Sequence, residues 1–226
     1  MLVLIFFFEV KYMKTILIFI RHGESEGNKN SRFNGNLDLL LTDTGRIQAS
    51  KTAEYLDKYK IDKVYASDLK RALETAEIIA KRQNLDVIKE KALREIFGGD
   101  FEGKIYSDLN KLYPVEFDMW LHDLGNCRCP NGESIRELLH RFNTKIKEIA
   151  AENRGKTILI GTHAMPIRVM STVWYKKDIT EVRDFEFVKN ASVTVVDYSD
   201  IEEPVVIEYD VAEHLGELAT ELPKDV

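Results

Sequence analysis

The chain has 226 residues, of which 44% are hydrophobic, and a formal net charge of −6. This length and apolar content suit one α/β domain with a large core, and the acidic balance argues against a nucleic-acid-binding surface. Two cysteines, Cys127 and Cys129, match neither a disulfide framework nor a zinc-ribbon spacing, so a cytoplasmic location is expected.

Residues 1–12 are strongly apolar, but they lack the basic segment and the cleavage site of a signal peptide and are too short to cross a bilayer. We interpret residues 1–13 as an N-terminal extension. Two alternatives stay open: Met13 is the natural start, or the extension adds an edge strand or a contact surface. Residues 14–215 are predicted to form a single domain and residues 216–226 a C-terminal tail, with no membrane partner.

The first predicted strand, residues 15–20, is an apolar run typical of a strand buried on both faces of a parallel sheet. The run stops at Arg21 and His22. Ligands in open α/β sheets bind beyond the carboxyl ends of the strands. Arg21, His22 and Asn28 are therefore candidates for chemistry rather than packing.

Residues 21–41 are predicted to be a long loop, and Thr42 is expected to cap a helix that runs to about residue 58. A short strand follows at residues 63–66. Ser67 is expected to cap the next helix, whose apolar side chains keep helical spacing.

Arg71 falls in the first turn of that helix, where the helix dipole disfavours a cation. An anion bound beside Arg71 would remove the conflict. On its position alone, Arg71 is more simply interpreted as a solvated arginine on an exposed face, because most surface charges are solvated.

A strand near residues 86–89 leads into a segment with three glycines, which indicates tight turns or a close approach of the backbone. Glu95 stands at the front of this segment. On its own, Glu95 is more simply interpreted as a surface carboxylate than as an acid catalyst, because most glutamates are exposed. Residues 105–112 and 114–122 are predicted to be helical, with Pro114 in a first-turn position.

Residues 124–131 hold both cysteines and are predicted to be an irregular surface loop. A capping box at Ser134 opens a long helix with an apolar stripe. A helix is expected over residues 164–174. Two strands are expected at residues 192–197 and 204–209, and a hairpin at the sheet edge is one way of pairing them.

A second buried strand, close to residues 156–162, delivers His163 just past its apolar run, as the first strand delivers His22. Two strand ends that each present an imidazole place the rings side by side if the strands are neighbours. Such a pair can share a phosphoryl group, with one ring attacking and the other donating a hydrogen bond. The helix that follows His163 adds N-terminal N–H groups, which favour phosphate.

Six motifs occur in a characteristic order. They are Arg21-His22-Gly23-Glu24-Ser25-x-x-Asn28, Leu41-Thr42-x-x-Gly45-x-x-Gln48-Ala49, Ser67-x-Leu69-x-Arg71-Ala72-x-x-Thr75-Ala76, Leu93-x-Glu95 to Glu102-Gly103, Gly132-Glu133-Ser134 and Thr162-His163. In this order they resemble the histidine phosphatase superfamily, which contains the cofactor-dependent phosphoglycerate mutases and their phosphatase relatives. The resemblance covers about residues 14–215.

The resemblance implies roles for individual residues. His22 would be the nucleophile that becomes phosphohistidine, and Arg21, Arg71 and His163 would line the phosphate pocket with Asn28 as a further polar contact. Glu95 would donate the proton to the leaving oxygen. Arg21, Arg71 and a cationic His163 are expected to lower the pKa of His22, whereas Glu95 needs a raised pKa.

We expect an α/β fold in the form of a three-layer sandwich, with a mostly parallel central sheet, helices on both faces and a small helical insertion over the active site. No metal or cofactor is implied by the scheme. The sequence offers no spacing of Asp, His and Cys typical of a metal site.

Mutases of this family carry an inserted basic cluster that holds the rest of the substrate. Between Glu95 and Gly132 this chain has only three basic residues, Lys104, Lys111 and Arg128. We therefore predict a metal-independent phosphomonoesterase that releases inorganic phosphate. Two alternatives remain, a cofactor-dependent phosphoglycerate mutase and a non-catalytic phosphate-ligand-binding regulatory protein.

The expected partner is a small phosphate ester, without nucleic acid, and the oligomeric state is undetermined. Ala164 follows His163, whereas the acid-phosphatase branch has an aspartate there, which favours Glu95 as the proton donor. Five apolar residues are expected to overhang the pocket or to serve only in packing: Phe33, Phe97, Phe101, Trp120 and Leu124.

Overall fold

A computed structural model describes residues 14–220 of the chain. Six strands form one sheet in the order β3-β2-β4-β1-β5-β6. Their bounds are β1 Ile16–Arg21, β2 Lys63–Ala66, β3 Val87–Lys89, β4 Thr157–Thr162, β5 Val193–Asp197 and β6 Val205–Val211. Residues 1–13, to which the predicted N-terminal extension belongs, lie outside the described part.

The sheet is mostly parallel, as predicted. Strands β3, β2, β4 and β1 run parallel, and β5 and β6 complete the sheet as an antiparallel hairpin at its edge. Strands β1 and β4 are direct neighbours, with Arg21 opposite Thr162 at their carboxyl ends. The two residues that follow this pair, His22 and His163, therefore leave the sheet at the same point.

Seven α-helices surround the sheet within the described residues. They are α1 Glu26–Lys29, α2 Asp43–Tyr55, α3 Lys70–Arg82, α4 Tyr106–Leu112, α5 Pro114–His122, α6 Ile135–Glu152 and α7 Ala164–Trp174. The short α1 lies within the segment expected to be a loop.

The helices form two outer layers because the central strands are apolar on both faces. On one face, Ile18 and Ile20 of β1 share a core with Ala76 and Ile79 of α3. On the other face, the alternate residues of β1 share a core with α6 and α7, in which Phe19 lies 5.0 Å from Trp174 between ring centroids. The predicted three-layer sandwich is confirmed.

A smaller core lies under α4 and α5, which form the helical insertion. Phe101 and Trp120 pack there together with Leu124, Cys127 and Cys129, all of them buried. The prediction of a plain surface loop at residues 124–131 was wrong. Its few apolar side chains point into this core, which a segment without helical or strand periodicity does not reveal.

Of two predicted helix caps, the structure confirms one and contradicts the other. The capping box at Ser134 is present, with Ser134 and Glu137 bonded reciprocally. Ser67, in contrast, does not cap α3, which begins at Lys70 after Leu69 without a side-chain cap. The hydroxyl of Ser67 is instead bonded to the ring of His163.

The described part of the predicted C-terminal tail packs against the domain. The side-chain amide of Gln48 in α2 donates to the carbonyl of Leu218, at 2.7 Å, and to the hydroxyl of Thr220, at 3.0 Å. Within residues 14–220, no helix has both the length and the apolar character that crossing a bilayer requires.

Candidate active site

The two strand-end histidines meet at the carboxyl edge of the sheet. Their ring centroids are 5.2 Å apart, with the rings edge to face at 65°. Both side chains are buried, and the backbone N–H of His22 donates to the carbonyl of Thr162 at 3.0 Å. Parallel pairing of β1 and β4 thus brings together residues 141 positions apart in the sequence.

The hydrogen bonds of His22 define its tautomer. Its Nδ1 lies 2.7 Å from the carbonyl oxygen of Gly23, which can only accept, so Nδ1 carries the proton. Its Nε2 faces Arg71, whose Nε–H donates to it at 3.2 Å. His22 is therefore a neutral imidazole whose Nε2 lone pair points toward the guanidinium.

The turn after His22 depends on two glycines. A Cβ on Gly23 would lie 2.4 Å from the carbonyl oxygen of Gly45, and one on Gly45 would lie 2.1 Å from that of Glu24. The start of α2 therefore rests directly on the turn. The amide of Gly23 also donates to the hydroxyl of Thr75 in α3, at 3.1 Å. Two helices fix the backbone that carries His22.

Arg71 and Arg21 are buried cations that are held by carbonyl oxygens. Arg71 donates to the carbonyls of Leu37, at 2.6 Å, and Gly35, at 2.7 Å. Arg21 donates to the carbonyl of Val188, and its Nε has no partner among the described residues. Burial lowers the pKa of each arginine to about 10, which leaves both charged at neutral pH. Neither charge is cancelled by an ion pair in the described part of the chain.

His163 presents an unused donor. Its Nε2 lies 2.8 Å from the hydroxyl of Ser67, which accepts from the amide of Leu69 and whose own proton has no other acceptor in residues 14–220, so the hydroxyl is assigned as the donor to the ring. The proton of a neutral His163 then resides on Nδ1, a buried atom without a partner in residues 14–220. Arg21 Nε and His163 Nδ1 are thus two buried donors beside His22.

Burial, followed by the charges of Arg71 and Arg21, lowers the pKa of His22 well below its ordinary value of 6.5. Burial and the Arg71 charge likewise lower the pKa of His163. The expected depression at His22 is present, but the expectation of a cationic His163 was wrong, because burial and the neighbouring guanidinium groups disfavour a second proton on this imidazole.

Glu95 lies in the same pocket. Its carboxylate oxygens accept from the amide of Ile96, at 2.9 Å, and from the amide of Met165, at 3.4 Å. One of the N-terminal N–H groups of α7 therefore holds Glu95. Burial raises the pKa of Glu95, and these hydrogen bonds and the nearby arginines oppose the rise. An anion that neutralises the arginines would raise it further.

Asn28 lines the pocket, and its side-chain oxygen is surrounded by donors. It accepts from the amide of Ser25, at 3.0 Å, from the hydroxyl of Ser25, at 2.8 Å, and from the side chain of Asn190, at 3.3 Å. This arrangement leaves the NH₂ group of Asn28 as the part that can donate to a ligand. Asn190 also donates to the carbonyl of His22 at 3.0 Å.

The predicted wall residues divide into two groups. Phe33 and Trp120 line the pocket, with ring centroids 5.1 Å apart. Phe101 is fully buried behind them, Leu124 is 1% exposed in the same core, and the 44% exposed Phe97 lines a separate surface cleft. Phe97, Phe101 and Leu124 are therefore not pocket residues: the turn at Gly98 and Gly99 separates Phe97 from Phe101, and Leu124 packs in the core under the insertion.

Other pocket residues were not predicted. Arg32, Tyr106, Met165 and Phe187 line the cavity, and Asn190 supports Asn28 from below. They lie outside the six motifs, so only the tertiary structure identifies them. Residues 14–220 contain no group of three or more His, Cys, Asp or Glu side chains arranged to hold a metal ion.

Comparison with known proteins places this geometry in context. The sequence profile of the histidine phosphatase superfamily (branch 1) matches residues 17–210. Phosphoglycerate mutase-like protein 4 of Arabidopsis thaliana is 37% identical over 182 residues, which cover 79% of this chain and 77% of that protein.

Phosphoserine phosphatase 1 of Hydrogenobacter thermophilus is 31% identical over 210 residues, covering 93% of this chain and 99% of that protein. Among solved structures, mycobacterial glucosyl-3-phosphoglycerate phosphatase superposes with a TM-score of 0.80 at 26% identity, covering 88% of this chain and 99% of that one. The similarity therefore spans nearly the whole described domain.

Proposed function

The chain belongs to the histidine phosphatase superfamily, and from that premise we propose that it hydrolyses a small phosphate monoester through a phosphohistidine on His22. The observation that carries the proposal is the neutral His22, whose Nε2 faces Arg71 at 3.2 Å beside Arg21 Nε and His163 Nδ1, two buried donors that have no partner among the described residues. The nucleophile thus lies in a pocket that can bind an anion, because Arg21 and Arg71 form no ion pair in the described part of the chain.

In the first step, Nε2 of His22 attacks the phosphorus atom, and the bond between phosphorus and the ester oxygen breaks. Protonated Glu95 gives its proton to the leaving oxygen, which departs as an alcohol. The Nδ1–H bond to the Gly23 carbonyl keeps the ring oriented and shares the positive charge that develops on it. A lowered pKa keeps the nucleophile unprotonated before attack.

In the second step, water attacks the phosphohistidine. Glu95, now a carboxylate, takes a proton from the water, the bond between phosphorus and Nε2 breaks, and inorganic phosphate leaves. The same side chain therefore serves as acid and then as base, which returns it to its starting state. A pKa raised by burial suits a group that must exchange a proton near neutral pH.

The charge on the transferred phosphoryl oxygens is met by Arg21, Arg71, His163 and the amide of Asn28. Catalysis of phosphoryl transfer comes mainly from positioning the reacting groups and from electrostatic stabilisation of the transition state, and buried guanidinium groups supply both. The carbonyl oxygens that hold the two arginines fix their positions without cancelling their charge. The pocket is in this way organised before the substrate arrives.

The substrate is proposed to be a small phosphorylated metabolite, and the relatives named as phosphatases of phosphoserine and of glucosyl-3-phosphoglycerate support this class. The mutase alternative is kept because another relative is named mutase-like. Against it, none of Lys104, Lys111 and Arg128 lines the described pocket, and Arg128 is paired with Glu137. The pocket therefore favours water over a second phosphorylated acceptor.

The purified protein is expected to release phosphate from p-nitrophenyl phosphate in the presence of EDTA, since the proposed steps use side chains alone. Phosphoglycerate mutase activity is measured in parallel, with its bisphosphorylated cofactor supplied. Strong mutase activity without phosphate release would select the mutase. Phosphate binding without either activity would select the regulatory binding protein.

We further propose a cytoplasmic location without nucleic-acid or membrane partners. The two cysteines are free and buried, and burial raises the pKa of Cys127 to about 11, so this thiol stays protonated. Free thiols of this kind are expected in a reducing compartment. Fractionation of source cells with an antibody against the chain tests the location.

Replacing Asn190 with alanine is expected to raise KM for phosphate esters about tenfold, because Asn28 loses one of the donors that orient its amide. The Ki of inorganic phosphate should rise in parallel, which a general loss of folded protein would not produce. Asn126→Ala, at an exposed position with hydrogen bonds only to Asp123 and Arg136, is the matched control. An unchanged Ki in Asn190→Ala would contradict this role.

A further inference from the structure

Three arginines line the pocket, and two of them, Arg21 and Arg71, are assigned to the phosphate in the proposed mechanism. The third, Arg32, lines the same cavity but has no part in the proposed phosphoryl transfer. Its side chain is exposed enough to reach a ligand. The question is whether this cation is an ordinary surface charge or part of the substrate site.

The backbone at Arg32 is firmly placed. Arg32 forms an isolated antiparallel bridge with Ile105, and the next residue, Phe33, donates from its amide to the carbonyl of Lys104 at 2.9 Å. The amide of Tyr106, in the first turn of α4, donates to the carbonyl of Ser31 at 3.1 Å. Arg32 is thus attached to the insertion that forms the outer wall of the pocket.

The guanidinium of Arg32 is held in the same way as those of Arg21 and Arg71. Its Nη1 donates to the carbonyl of Gly103 at 2.6 Å, and no acidic side chain within residues 14–220 pairs with it. Five arginines away from the pocket do form ion pairs with carboxylates: Arg46, Arg82, Arg94, Arg128 and Arg141. A carbonyl tether leaves the charge of Arg32 available to a ligand.

Carbonyl tethers alone do not define a site, since Arg168 and Arg183 also donate to backbone carbonyls. Neither of those two lines the cavity, and Arg168 lies against the ring of Phe187 instead. Arg32 combines an unpaired charge with a place on the cavity wall. This combination is otherwise found only at Arg21 and Arg71 in the described chain.

The surroundings of Arg32 indicate what it binds. The cavity lining also includes Phe33, Tyr106, Trp120, Met165 and Phe187. These side chains are uncharged at neutral pH, so none of them competes with Arg32 for an anion. A single planar guanidinium matches a carboxylate, which it can bind with two parallel hydrogen bonds. The phosphate end, in contrast, employs two arginines.

We propose that Arg32 binds a carboxylate on the alcohol part of the substrate, so that the enzyme acts on phosphorylated hydroxy or amino acids. This inference rests on the proposed phosphatase function. It assigns the two ends of the pocket to two different anions, with the phosphate at His22 and the carboxylate at Arg32. The neutral walls between them accommodate the short chain that joins the two groups.

The test compares O-phosphoserine with O-phosphoethanolamine, which differ only in the carboxylate. The wild-type enzyme should have a ratio of kcat/KM values of about ten or more in favour of phosphoserine, the size of a hydrogen-bonded charge pair. Arg32→Gln should lower this ratio toward one, and Arg32→Lys should retain part of it. Arg136→Gln, a variant of an exposed arginine outside the pocket, should keep the wild-type ratio.

The outcomes separate the two proposals. A wild-type ratio near one, or an unchanged ratio in Arg32→Gln, would overturn the carboxylate assignment while hydrolysis of p-nitrophenyl phosphate still supports a phosphatase. Equal losses on both substrates in Arg32→Gln would show that the tether to Gly103 serves the fold alone, which also overturns it. Failure of the wild type on every ester would overturn the phosphatase function itself.

Discussion

Replacing His22 with alanine is expected to abolish turnover, with a loss of at least about 10⁴-fold, because the reaction loses its nucleophile and its covalent intermediate. The Nε2 atom of His22 has no substitute at its position. The other imidazole, His163, donates from Nδ1 and is bonded to Ser67 through its second nitrogen, so it is not oriented to attack.

Rapid-quench labelling with a 32P-labelled phosphate ester measures this effect directly. The wild type should acquire an acid-labile label, as a phosphorus–nitrogen bond requires, and His22→Ala should acquire none. His140→Ala removes an exposed imidazole on α6 and should label like the wild type. Labelling of His22→Ala at the wild-type rate would mean that a different residue is the nucleophile.

Replacing Glu95 with glutamine is expected to lower kcat for alkyl phosphate esters by about 10²- to 10⁴-fold, the usual contribution of a general acid. The loss on p-nitrophenyl phosphate should be far smaller, because p-nitrophenolate leaves without a proton. Glutamine has the shape of glutamate but one acceptor oxygen, so it can keep the 2.9 Å bond from the amide of Ile96 and loses only the longer, 3.4 Å bond from the amide of Met165. Glu77→Gln, on the exposed side of α3, is the matched control.

The pH dependence of the alkyl esters should report two groups. As the pH rises from acid values, kcat/KM should increase while His22 loses its proton, with a midpoint well below 6.5 because burial and the arginines lower its pKa. As the pH rises further, activity should fall through the raised pKa of Glu95, because only the protonated carboxyl donates.

The alkaline decline should disappear in Glu95→Gln, since glutamine does not titrate, whereas the acid side of the profile should remain. A variant that loses p-nitrophenyl phosphate and alkyl phosphate activity equally would assign Glu95 to binding rather than to proton transfer. A retained alkaline limb would place the proton donor elsewhere in the pocket, which Tyr106 also lines, with a pKa raised by burial.

The sequence by itself determined the elements that depend on local pattern. Continuous apolar runs predicted β1 and β4, because strands buried on both faces have no polar side to show. The capping box at Ser134 and the apolar stripe along α6 were equally clear, since each depends only on residues three or four positions apart. The two histidines were found because each follows such a strand.

The tertiary structure decided which side chains share a cavity. Arg32 and Phe187 line the pocket although neither lies in a motif, Asn190 bonds to Asn28, and Phe97 turns away from the pocket although it lies two residues from Glu95. It also decided protonation, since His163 is neutral through burial and the nearness of Arg71. Local sequence encodes the hydrophobic periodicity of a helix or strand and the residues at which it begins and ends. The burial and the protonation state of a side chain depend instead on every segment that packs around it.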